Sequence, residues 1–196
     1  MIKNLFNVLK KDPYALVGVL IYLFFILIAI FADLIAPNDP LRMLFNSSGL
    51  ARNIDPGREF LLGTTSNGRD IFSQLVHGSR NALYVGLTAA LAVALVGTIV
   101  GLISGYFGGW LDSLIMRLAD IALGIPFLPF VIVLAAFLGP SPWNVVIAIT
   151  LLAWPNSGRV IRSQVLSLRE RAYIESAKVS GCSNLRIIFV HIAPNI

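Results

Sequence analysis

From Pro13 to Ala32 no charged side chain interrupts the chain, and Leu, Ile, Val, Phe and Tyr dominate the stretch. A helix needs roughly 20 predominantly apolar residues to cross about 30 Å of hydrocarbon. Ala15 to Ala36 is therefore read as a first transmembrane helix, about 33 Å long at 1.5 Å per residue. Asp33 is its one charge, near the far end. Lys3, Lys10 and Lys11 precede it, as basic residues do in a signal peptide. A signal core runs only about 7–15 residues and ends in a small-x-small site. This run is longer and lacks a clean site, so the helix is read as retained.

Composition extends the argument to the whole chain. At 57% hydrophobic, 13% charged and a mean hydropathy of +0.81, the 196 residues cannot clothe a water-soluble surface, which usually draws on about 25% charged residues. Disorder is excluded by the same figures, because disordered chains are poor in apolar residues. The single cysteine, Cys182, forbids an internal disulfide. With only His77 and His191 beside it, no metal site is expected.

Three further spans follow: Ala82 to Phe107, about Ser113 to Leu138, and about Trp143 to Ile161. Gly97, Gly101 and Gly105 place small residues on one face of the second span, a seam for another helix from this chain or a partner. In the third, Arg117 and Asp120 are expected to pair at i,i+3, and Pro126 and Pro129 to kink the helix. The fourth is broken by Trp154-Pro155-Asn156-Ser157-Gly158. Polar interruptions at membrane depth are tolerated where protein or a water-filled cavity satisfies the backbone, and interrupted helices commonly line substrate paths. Trp154, Pro155, Asn156 and Ser157 are thus candidates for a translocation path; a Pro-terminated helix end at the interface is the other reading.

Four spans put both ends of the chain on one side. Nine Lys and Arg lie before the first span and from Arg159 onward, against five between Pro37 and Asn81. The excess places the ends in the cytoplasm. The expected organisation is a cytoplasmic tail over 1–14, a first helix over 15–36, an external connection over 37–81, a three-helix core over 82–161 and a cytoplasmic segment over 162–196.

In the external connection, Gly63-Thr64-Thr65-Ser66-Asn67-Gly68-Arg69-Asp70 nearly fits a phosphate-binding loop. Arg69 stands where the phosphate-reaching Lys belongs, and Asp70 replaces the hydroxyl with a charge that repels phosphate. Nucleotide binding is rejected. From Asp70 to Arg80 the pattern suits a helix on the membrane surface, with Ile71, Phe72, Leu75 and Val76 on the apolar face and Gln74, His77 and Arg80 outward. Asn46-Ser47-Ser48 satisfies a glycosylation pattern that matters only on a eukaryotic secretory route.

The cytoplasmic segment is the most informative. Ser167 and Glu170 form a capping box that predicts a helix start, Arg171, Glu175 and Lys178 can pair along it, and Gly181 marks its stop. A second helix is expected near Ser183, with Leu185, Ile188 and Phe189 on one side and Pro194 soon after. Small Ser176 and Ala177 leave room for another surface, and Tyr173 and Ile174 supply knobs. The segment is tied too closely to the fourth span to be a separate DNA-binding domain. It is read as a docking helix for a cytoplasmic partner.

Glu175-Ser176-Ala177, followed by Gly181 and then by His191-Ile192-Ala193-Pro194-Asn195, resembles the EAA loop of ABC importer permeases. Gly63 to Asp70, with Phe72-Ser73 and Gly78-Ser79-Arg80, is similar to the C-type subunit of the dipeptide, oligopeptide and nickel branch. Gly105-Tyr-Phe-Gly-Gly-Trp110 and Val165-Leu-Ser-Leu-Arg-Glu170 extend the likeness over essentially the whole chain. The resemblance implies an all-α polytopic bundle in a bacterial or archaeal plasma membrane, paired with a second permease. Two cytoplasmic ATPases that bind ATP-Mg would dock on the pair, and an extracytoplasmic solute-binding protein would deliver peptides, nickel or oligosaccharides. It implies that Tyr173, Glu175, Ser176, Ala177 and Gly181 couple the chain to the ATPases, Ser176 replacing the first Ala of the motif and Ala193 standing where Leu is frequent. No cofactor or catalysis in this chain is implied. About six spans are expected in a complete homologue, so the chain is read as truncated at its C-terminal end. A membrane scaffold and an ATP-independent transporter are the alternatives; an intramembrane hydrolase would need a base at the depth of Ser157, and neither histidine lies in a span.

Overall fold

The computed structural model describes residues 12–46 and 49–196. The basic tail and Ser47-Ser48 of the glycosylation pattern lie outside the described residues. The chain divides into two units, one reaching Tyr84 and the other Val85–Ile196.

The first unit opens with α1, Pro13–Ile30. Asp12 starts it, its carboxylate accepting from the backbone N–H of Tyr14 at 3.0 Å and of Ala15 at 3.4 Å. Pro13 sits at the first helical position, where its missing N–H costs nothing. The helix is apolar all round and Ala29 is its one buried residue, as expected of a helix whose solvent is lipid. The single turn α2, Ala32–Ile35, follows. Two short strands, β1 Phe45–Asn46 and β2 Gly49–Leu50, pair antiparallel with Phe45 opposite Leu50.

Helix α3, Ile71–Phe107, continues without a break for 37 residues, about 56 Å. The expected surface helix and the second span are therefore one element. Asp70 caps it: the buried carboxylate accepts from the N–H of Phe72 and Ser73, both at 3.3 Å, and from the Ser73 hydroxyl at 2.6 Å. Nothing between Ile71 and Ala82 stops propagation. Of the expected apolar face Val76 is buried and Leu75 is exposed, while Ser73 is the residue fully enclosed. Arg80, expected to face outward, donates from Nε to the Ala29 carbonyl at 2.9 Å and pairs with Asp33 at 3.1 Å, covering carbonyls at the end of α1 that have no helical partner.

In the second unit, α3 ends at Gly108 and Gly109, both at positive φ. Helices α4, Gly109–Gly124, and α5, Phe127–Leu138, meet at 89°. The expected third span is thus broken at Ile125-Pro126 and not merely kinked; Pro126 denies the chain a helical N–H there, while Pro129, in the first turn of α5, is tolerated. Helix α6, Pro142–Arg169, passes through Pro155 without ending. The polar Trp154–Gly158 stretch interrupts the hydropathy, not the helix. Among the described residues two helices, α1 and α3, are long and apolar enough to cross a membrane, or three if α4 and α5 are one bent span. The four-span expectation is met to that extent; α6 falls short because the polar Trp154–Gly158 stretch, and then Arg159 and Arg162, follow its apolar half and lower the hydropathy.

After Arg169 come α7, Ala172–Val179, and α8, Asn184–Arg186. A π-helical stretch, Ile187–Ile192, and a final tight turn, Ala193–Asn195, complete the chain. The core of this unit gathers Leu102 of α3, Val165 and Leu168 of α6, Ile174 and Ala177 of α7, and Ile187, Ile188 and Ile192.

Candidate functional site: a docking helix and a polar groove

The seam that positions the site lies between α3 and α6. A Cβ built on Gly97 would sit 2.6 Å from Cβ of Ser157; on Gly101, 2.7 Å from the Gly158 carbonyl oxygen; and on Gly105, 2.7 Å from Cβ of Val165. Only glycine lets the helices come this close, so the seam belongs to this chain. Helix α4 is clamped to α6 by charge. Arg162 donates through Nε and a terminal nitrogen to both carboxylate oxygens of Asp112, each at 2.5 Å, a bidentate geometry that adds orientation to attraction. One turn back Arg159 pairs with Asp120. The expected Arg117–Asp120 pair is therefore replaced: the partner on α6 outcompetes the helical neighbour.

Helix α7 does not begin at the expected capping box. Ser167 lies inside α6, which runs on to Arg169, and Arg171 stands at the start of α7 with no side-chain cap. Leu168 and Val165 are buried in the core, and that packing carries α6 past the local signal. The stop at Gly181 is as expected. Its φ is +78°, the Cys182 N–H reaches back to the Ala177 carbonyl and the Gly181 N–H to the Lys178 carbonyl, both at 3.0 Å. These are the two bonds of a Schellman motif. Ser183 then caps α8, accepting from the Arg186 N–H at 3.4 Å.

One face of α7 is anchored and the other is open. Ile174 and Ala177 are buried, so Ile174 is not an outward knob and Ala177 does not face outward for a partner. Tyr173, Glu175 and Ser176 are exposed, with Gly181 beside them. Val179, 85% exposed at the last turn, joins them; an apolar β-branched residue closing a charged helix was the signal that sequence reading missed. Among the described residues no ion pair links Arg171, Glu175 and Lys178; the Lys178 ammonium instead lies 5.8 Å from the centroid of the Tyr106 ring. The expected face of Leu185, Ile188 and Phe189 is also corrected. Leu185 and Phe189 are exposed, while Ile187 and Ile192 are fully enclosed. The wider π turn brings residues five apart into register.

The segment is wired to the membrane helices by more than the core. The Tyr106 hydroxyl of α3 donates to the Asn184 side-chain oxygen of α8 at 2.8 Å, while Arg169, the last residue of α6, donates to the Gly105 carbonyl of α3 at 3.0 Å and ties those two helices to each other.

The candidate path residues lie along the same seam. Pro155 is fully buried, Trp154 half-buried against Gly158, and Asn156 and Ser157 open into a groove of about 410 Å³. Its walls are Ala94 and Thr98 of α3 with Asn156, Ser157, Val160 and Ile161 of α6. The rejected phosphate loop is a structural turn: Thr64 donates to the Ala51 carbonyl at 2.5 Å and accepts from the Ile54 N–H at 3.0 Å, and Asp70 is spent on capping α3.

Apolar helices long enough to span a bilayer, a glycine seam and a two-faced α7 rooted in the core of the second unit are the features that a membrane-embedded protein of the transport-permease class would combine. Residues 97–196 match the family described as binding-protein-dependent transport system inner membrane component, and the chain belongs to that family. Residues 2–56 match the N-terminal TM domain of oligopeptide transport permease C. Among curated proteins, it is 44% identical over 193 residues to the dipeptide transport system permease protein DppC of Alkalihalophilus pseudofirmus, covering 98% of this chain and 62% of that protein. It is 39% identical over 188 residues to DppC of Haemophilus influenzae, covering 95% and 64%. To the oligopeptide transport system permease protein OppC of Bacillus subtilis it is 36% identical over 188 residues, covering 95% and 60%. The chain thus spans roughly three fifths of the length of these relatives.

Proposed function

We propose that the chain is a membrane-spanning part of a permease subunit in an ATP-driven importer of peptides, working beside a second permease, two cytoplasmic ATPases and an external solute-binding protein. The peptide class comes from the names of the relatives, which are dipeptide and oligopeptide permeases. In this reading the chain crosses a plasma membrane four times, α6 supplying the fourth crossing, with its N-terminus in the cytoplasm. Tyr173, Glu175, Ser176, Ala177 and Gly181 form the coupling element, Ala177 from within the core and the others at its surface. Trp154, Pro155, Asn156 and Ser157 stand at the path. The chain performs no chemistry and holds no cofactor; ATP-Mg is bound by the ATPases.

The observation that carries the proposal is the two-faced α7, exposed at Tyr173, Glu175 and Ser176 and rooted by Ile174 and Ala177 in a core shared with α3 and α6. A partner that grips the open face more tightly in one nucleotide state biases the helices behind it, because a ligand shifts an equilibrium only through its differential affinity for the two states.

Gly181 tests this. A Cβ there meets open space, so a substitution acts through the left-handed backbone alone, at about 1–2 kcal/mol for an L-residue. Gly181→Val is expected to leave membrane insertion and ATP hydrolysis in place while abolishing peptide uptake by the assembled complex. Gly181→Asn, which tolerates this conformation better, is expected to restore most of the uptake. Normal accumulation with Gly181→Val would overturn the coupling role.

A further inference from the structure

Most hydroxyls on the helices of the second unit are spent on their own backbone. Ser104 donates to the Gly101 carbonyl at 3.3 Å, Ser113 to Gly109 at 3.1 Å, Thr150 to Val146 at 2.8 Å and Ser163 to Val160 at 2.8 Å. Thr98 and Ser157 sit on the same helices with the same carbonyls in reach. Among the described residues neither side chain makes such a bond, and the Asn156 amide makes none either. All three converge on the groove between α3 and α6, against an otherwise apolar wall of Ala94, Val160 and Ile161.

Unspent donors and acceptors are costly in hydrocarbon, where no water replaces the missing partner. A groove that keeps three of them open on helices read as crossing a membrane suits an occupant that is polar. The groove also lacks net charge. Arg159, the nearest charged residue along α6, is neutralised by Asp120. A hydroxyl both donates and accepts, and so does a carboxamide. That set matches the alternating N–H and C=O of a peptide main chain and gives no handle to a charged side chain. A volume of about 410 Å³ is within the ordinary range for a small-molecule site.

We propose that Thr98, Asn156 and Ser157 form an uncharged hydrogen-bonding wall that holds the amide backbone of a peptide in transit, reading its main chain and not its side chains. The inference rests on the permease function proposed above.

The test uses the assembled importer in cells, with Cys182→Ser removing the native thiol. Asn156→Cys is expected to react with a hydrophilic, membrane-impermeant thiosulfonate, and a saturating, non-hydrolysable dipeptide to slow that reaction severalfold. Thr98→Val with Ser157→Ala is expected to lower kcat/KM for uptake about tenfold, the worth of one or two lost hydrogen bonds. Neutral, acidic and basic dipeptides should lose alike, with ATPase copurification unchanged. Thr98→Ser with Ser157→Thr, which keep both hydroxyls, should transport normally. An unlabelled Asn156→Cys places the face against lipid or the second permease and overturns the proposal. So does labelling that dipeptide leaves untouched, protection by an oligosaccharide in place of the peptide, or unchanged uptake in the double variant. If the unsubstituted complex imports no peptide or binds no ATPase, it is the permease reading that fails.

Discussion

Helix α3 carries two sets of small residues that look alike in sequence and differ in what they meet. Near its start, Gly78 and Gly86 stand eight residues apart with Ala82 between them, and a Cβ on either glycine touches nothing within 4 Å. Near its end, Gly97, Gly101 and Gly105 repeat the four-residue spacing, and a Cβ on any of them would enter α6 at 2.6–2.7 Å. The spacing therefore announces that a helix can be approached closely. Only the presence of α6 decides that it is.

The sharpest way to break this comparison is one substitution made at both ends. Gly101→Val drives a branched side chain into the Gly158 carbonyl, a backbone atom that cannot swing aside. We expect a loss of about 1–3 kcal/mol or more from overpacking, read as a lower melting temperature of the purified chain in detergent. Asp112→Asn comes next. It leaves the seam intact and halves the bidentate clamp on Arg162, whose pair is only partly exposed. A cost of about 1–3 kcal/mol is expected, between surface and buried ion pairs, with the Gly101 region unaltered in cysteine cross-linking to α6. Gly86→Val should cost least, within about 0.5 kcal/mol. A Gly86→Val as damaging as Gly101→Val would mean that the early glycines are packed too.

What the sequence disclosed follows the same division between local and tertiary causes. The apolar lengths of α1 and α3, the Gly181 stop and the helix start near Ser183 were legible because each is settled within a few residues. The Gly97–Gly105 face was legible as a seam, but its partner was not. The misreadings arise where a distant partner outweighs a local signal. Packing of Val165 and Leu168 carries α6 through the Ser167–Glu170 capping box, and Arg159 takes Asp120 from Arg117. A π turn, which hydrophobic periodicity does not anticipate, turns Ile187 and Ile192 inward in place of Leu185 and Phe189. The polar Trp154–Gly158 stretch was legible as unusual. Its meaning as a helix wall with unspent hydrogen-bonding groups needed α3 beside it.

The central claim is that the open face of α7 receives an ATPase and passes its nucleotide state to α3 and α6. The most direct measurement places one thiol on that face, Ser176→Cys with Cys182→Ser, in the complete importer, and follows cross-linking to the ATPase subunit with and without ATP. The account predicts a specific cross-link whose yield changes when ATP binds. A complex that imports peptide normally while Ser176→Cys never reaches the ATPase would contradict it.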